Sequence, residues 1–173
     1  MPDVRSTHVA PPSVVRREDY RPPDWLVPDI ALEFDLDAGR TIVRSTLVVR
    51  RNGAHKRPLR LAADGLTLRR VEVDGEGVNH GYEQDVLEIP VAGDAATVTT
   101  EVEIAPRGNT RLMGLYESGG LLCTQCEAEG FRRITPFPDR PDVLSRYRVK
   151  MVADKARYPV LLSNGDPVAS GGL

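Results

Sequence analysis

A chain of 173 residues has room for one domain with a sizeable core. Its 23 basic and 25 acidic residues nearly balance, which leaves no electrostatic argument for nucleic acid or a charged membrane surface. Hydrophobic residues make up 40% and aromatic ones only 5%, no apolar run approaches the roughly 18 residues of a spanning helix, and residues 1–19 lack the apolar stretch of a secretion signal. Two cysteines make no disulfide scaffold, so the expected location is the cytoplasm.

Residues 1–19 are polar and contain prolines without periodicity, which predicts a loose arm; residues 20–173 are expected to form the β domain. From Asp29 onward Ile30, Leu32, Phe34 and Leu36 alternate with Ala31, Glu33, Asp35 and Asp37, the period of a half-buried strand. A hairpin turn follows at 37–40, with Gly39 expected to supply a positive φ. The return strand covers 41–50, with Val43, Leu47 and Val49 inward and Arg44, Thr46 and Arg50 outward. Shorter strands are predicted at 59–61, 66–68, 71–73 and 87–89, with a phase slip at Arg69-Arg70 that predicts a bulge. A longer strand carries Val98, Thr100, Val102 and Ile104. Turn signals recur about every ten residues and no segment keeps a helical period, so the predicted fold is all-β, an antiparallel sandwich or saddle-like sheet.

The stretch 121–142 concentrates the chemistry. Read as an extended strand, it turns Cys123, Gln125, Glu127 and Glu129 one way and Thr124, Cys126 and Ala128 the other. An amide and a carboxylate facing one small volume suit a cation, and an α-ammonium group fits. Asp142 is expected to cap a helical turn over 142–146. Strands are expected at 147–151 and 158–162, then an Asn164-Gly165 hairpin turn whose return strand would begin at 166. That unfinished hairpin leads us to expect a piece of a longer protein.

The segments NTRLMGLYESGGLLC and TQCEAEGFRRITPFPDRPDVLSRYRVKMVADKARYPVLLSNG, with YRPPDWLVPDIALEFDLD upstream, resemble the N-terminal domain of the aminopeptidase N family, zinc gluzincins, in its bacterial branch. The likeness runs from about Tyr20 to Leu173. It implies a parent enzyme that removes N-terminal residues from peptides, with this domain capping the cleft and packing on a catalytic domain. Gln125 and Glu127 match the family's Gln-x-Glu element; by that resemblance Glu127 binds the substrate's α-ammonium and Gln125 lines the first specificity pocket. The family's zinc is held by H-E-x-x-H and a distant Glu. His8, His55 and His80 match no such spacing, so the expected zinc belongs to a catalytic domain outside these residues, and none is expected here.

Plainer readings stand beside these. A β-sandwich interaction module that has lost the peptidase is the alternative function. Arg132 is expected to hold its loop by an ion pair, and Asp139 and Asp142 to serve the turn around Pro141. Cys123 and Cys126 are read as buried free thiols, since they supply half a tetrahedral metal site at most. Arg16-Arg17, Arg50-Arg51 and Arg69-Arg70 are scattered and read as solvated. His55 and His80 are read as surface loop residues, and Trp25 as a plug at the sandwich edge.

Overall fold

A computed structural model describes residues 16–172. The expected arm therefore lies largely outside the described residues; its last part, Arg17–Asp19, forms a short 3-10 turn. Eleven strands follow: β1 (Trp25–Leu36), β2 (Thr41–Arg51), β3 (Leu59–Ala62), β4 (Thr67–Val73), β5 (Glu76–Gly77), β6 (Gly81–Glu83), β7 (Val86–Ile89), β8 (Ala95–Ile104), β9 (Gly114–Ser118), β10 (Leu121–Gln125) and β11 (Arg146–Ala153). They make a six-stranded sheet in the order β11-β1-β2-β8-β4-β5, a three-stranded sheet β3-β7-β6, and the hairpin β9-β10.

The alternation in β1, β2 and β8 gives the large sheet one apolar face. Ile30 lies opposite Leu47, Val43 opposite Val102, and Leu47 opposite Val98. These side chains share one core with Leu59, Leu61, Leu87 and Ile89 of the small sheet, and burying each contributes about 1.5–3 kcal/mol. The opposite face is charged: Arg44 pairs with Glu101 at 2.7 Å directly across the ladder. Exposed pairs of this kind keep the face soluble more than they stabilise it.

Several expectations change. The fold is mostly antiparallel, but the edge strand β11 runs parallel to β1; a period of two reports which face a residue takes and not which way the strand points. The segments predicted at 66–68 and 71–73 are one strand, β4, with the register slip between Leu68 and Arg70. Gly39 has no positive φ; instead the Asp37 carboxylate accepts the amides of Gly39 at 2.7 Å and Arg40 at 3.2 Å, and closes the turn from its side chain. No helical turn forms at 142–146. The Asp142 carboxylate accepts the Tyr20 hydroxyl at 3.1 Å and the Arg140 guanidinium at 2.7 Å, so it caps nothing, and β11 begins at Arg146.

No strand forms over 158–162 and none returns after the bend at Asn164-Gly165, because nothing among the described residues offers those amides a ladder. His55 is not a free surface residue either. Its Nε2 lies 2.7 Å from the Asp24 carbonyl, and its ring meets buried Trp25 edge-on. Arg51 stacks over the same indole at 4.4 Å, so this end of the sheet is latched, and Trp25 is its plug.

Candidate functional site

The hairpin β9-β10 leads into the Gln-x-Glu element, with Gln125 as its last strand residue. It turns at Gly119 and Gly120, both at positive φ, and sets Gln125 opposite Gly114 at its open end. The strand stops there. Beyond Gln125 the backbone folds back, and the Gly130 amide donates to the Cys126 carbonyl at 2.8 Å. A β-carbon on Gly130 would stand 2.5 Å from the Gln125 carbonyl oxygen and 2.7 Å from the Cys126 α-carbon, so only a hydrogen fits. Gly114 likewise admits the backbone of Arg133, against whose β-carbon its own would stand at 2.8 Å.

The predicted strand face therefore ends at Gln125, and Glu127 and Glu129 sit on a turn. Gln125 and Glu127 still stand together, though not as amide beside carboxylate: the Gln125 side-chain amide donates to the Glu127 backbone carbonyl at 3.3 Å. The Glu127–Ala128 peptide is cis. The Glu127 carboxylate is exposed and, among the described residues, makes no ion pair. Glu129 is taken up by Arg132 at 3.1 Å.

Arg132 anchors the turn from below. Its backbone amide and its Nε both donate to the Asp139 carboxylate at 3.1 Å, and its Nη2 reaches the Asp139 carbonyl at 3.0 Å. Asp139 is thus the acceptor of the Arg132 fork, a larger part than the turn role expected for it. Arg133 pairs with Asp64 on the loop before β4. The loop-holding ion pair expected of Arg132 is present.

Beside the turn runs an apolar groove of about 1100 Å³, walled by Phe34, Leu122, Phe131, Phe137, Tyr147 and Val149 and rimmed by Glu127, Glu129 and Arg140. Phe131 meets Phe137 edge to face at 5.0 Å and Tyr147 at 6.0 Å. All three phenylalanines of the chain lie on this wall. That concentration is invisible in the alternation of any single strand. The groove stays open where β11 forms the sheet edge, and Tyr147 is 49% exposed there.

Cys126 lines the groove as a free thiol, half-buried like Cys123. Burial pushes its thiol above the ordinary range, helped by the nearby charges of Asp139 and Glu127, which makes it a poor nucleophile. Among the described residues no group of three or more His, Cys, Asp or Glu could hold a metal. His80 is exposed, with Nδ1 3.0 Å from the Val78 carbonyl, and His8 lies outside the described residues. The described donors do not fit a catalytic zinc. No described helix is long and apolar enough to cross a membrane.

Fold and site together define a β domain that presents a carboxylate-tipped turn beside an apolar groove. The profile of the Peptidase M1 N-terminal domain matches residues 44–171, and the chain belongs to that family. It is 52% identical to aminopeptidase N of Caulobacter vibrioides over 165 residues and 48% identical to aminopeptidase N of Escherichia coli over 163. Each match takes in 94% of this chain but 19% of the relative, so the chain spans about a fifth of the length of those proteins. Legionella pneumophila aminopeptidase A, solved with aspartic acid, superposes with a TM-score of 0.84 at 30% identity, over 90% of this chain and 19% of that one. Yeast leukotriene A4 hydrolase shares the fold, with a TM-score of 0.66 at 18% identity over 75% of this chain and 23% of that one.

Proposed function

We propose that this domain forms one wall of the active-site cleft of a zinc-dependent aminopeptidase and holds the substrate by its free N-terminus. Glu127 is the anchor for the α-ammonium, Gln125 borders the pocket for the first side chain, and hydrolysis belongs to a catalytic domain carrying H-E-x-x-H. The observation that carries this reading is the Glu127 carboxylate, raised on a turn, exposed and without an ion pair among the described residues, beside Gln125. Glu129, two residues further on, is by contrast paired with Arg132 at 3.1 Å.

The chemistry follows from charge and distance. A carboxylate bonds an ammonium more strongly than a neutral acceptor does, and more so once a second wall excludes water. Fixing the charged chain end also fixes how far the scissile bond lies from it, so a single residue is removed. We place the protein in the cytoplasm, where its two free thiols stay reduced. Peptides with a free N-terminus are its proposed ligands, and the open β11 edge is its proposed contact with the catalytic domain.

The test uses the full-length product of the gene encoding this chain, assayed on an aminoacyl p-nitroanilide. Glu127→Ala is expected to lose roughly 2–4 kcal/mol of transition-state stabilisation, about 30- to 1000-fold in kcat/KM. An unchanged kcat/KM would refute the anchor, and a full-length product with no peptidase activity would favour the interaction-module reading instead.

A further inference from the structure

The turn carries two carboxylates two residues apart, and among the described residues only Glu129 has an ion-pair partner. Glu129 is bound by Arg132 Nη2 at 3.1 Å, although its side chain is 68% exposed and could otherwise turn to solvent or to a ligand. Arg132 is itself fixed: its side chain is 25% exposed, and Asp139 holds its Nε at 3.1 Å and its Nη2 at 3.0 Å. Guanidinium is the group for this geometry, because its planar fork can engage two acceptors while an ammonium commits to one point.

We infer that Arg132 is a positioning residue that withdraws Glu129, so that Glu127 alone is offered to the substrate's ammonium. The inference rests on the anchor reading of Glu127. If both carboxylates were free, a chain end could settle on either, and the two would hold the scissile bond at different places. The complex on Glu129 would be tight and unproductive.

That failure has its own kinetic signature. Unproductive binding lowers kcat and KM together, whereas a turn that has merely loosened lowers kcat/KM. In the full-length gene product, Arg132→Met is expected to lower kcat about tenfold with KM falling alongside, and adding Glu129→Gln to return both to within about threefold of wild type, the coupling expected of neighbouring residues. Arg132→Lys, which keeps the charge and loses the fork, should fall between and serves if Arg132→Met does not fold.

Folded Arg132→Met and Arg132→Lys enzymes with kcat and KM unchanged would overturn the inference. So would a loss in kcat/KM that Glu129→Gln fails to recover. Glu127→Ala in the same series separates the two ideas. If it changes nothing, the anchor reading has failed; if it cripples the enzyme while the Arg132 variants do not, only the positioning role has.

Discussion

At the scale of single residues, the site depends on what Gly130 lacks. The chain leaves β10 and reverses within a few residues, which brings the Gln125 carbonyl to where a side chain at 130 would begin. Gly130→Ala must push apart two pieces of backbone, and backbone yields less readily than the tip of a flexible side chain. The expected cost is about 1–3 kcal/mol, read from the midpoint of urea unfolding. An unchanged midpoint would mean that the turn is looser than its geometry indicates. Glu127 and Glu129 show the complementary point. They are the same residue type on one turn, yet among the described residues only Glu129 is paired, because the Arg132 fork reaches it and not Glu127.

At the scale of elements, the β2-β8 ladder is the spine of the large sheet. Leu47 is fully buried between Ile30 and Val98, its cross-strand neighbours on either side. Neighbouring strands fix its surroundings, so a cavity there collapses poorly. Leu47→Ala is expected to cost about 2–5 kcal/mol in urea unfolding, against little change for Arg50→Ala on the outward face of the same strand. Equal effects would contradict the assignment of faces. β11 differs from β2 in its freedom: it pairs on one side only, along β1, and leaves Tyr147 and Val149 open to the groove.

At the scale of the whole molecule, distant segments are tied by charged side chains with displaced titrations. The Arg140 guanidinium and the Tyr20 hydroxyl hold the Asp142 carboxyl below its usual range, which fastens the N-terminal segment to the 138–142 turn. The amides of Gly39 and Arg40 lower Asp37, with Arg157 adding to the effect, and Arg40 and Arg69 lower Glu103. A carboxyl whose folded pKa is depressed adds stability above its unfolded pKa and loses it as pH falls through the folded one. Melting temperature should therefore hold from neutral pH to about 5 and fall below about 4, the ordinary carboxyl range. Asp142→Asn should flatten part of that acid limb and lower the plateau slightly, and added salt should shrink the difference because these groups are exposed. A melting temperature level down to pH 3 would count against these ties.

What could be read from the amino-acid order alone was whatever a residue does to its immediate neighbours. The alternation in β1, β2 and β8, the slip at Arg69-Arg70 and the ion pair of Arg132 all belong to that class, and so does the Gln-x-Glu element as a motif. Facing and turning are set within a few residues, so they are written locally. Direction, pairing and enclosure are not. The parallel run of β11 along a strand more than a hundred residues earlier, the departure of Glu127 from its expected strand, and the gathering of Phe34, Phe131 and Phe137 onto one wall depend on which surfaces meet once the chain has collapsed. That is decided by burial and steric fit across the whole fold, so only the tertiary structure could supply it.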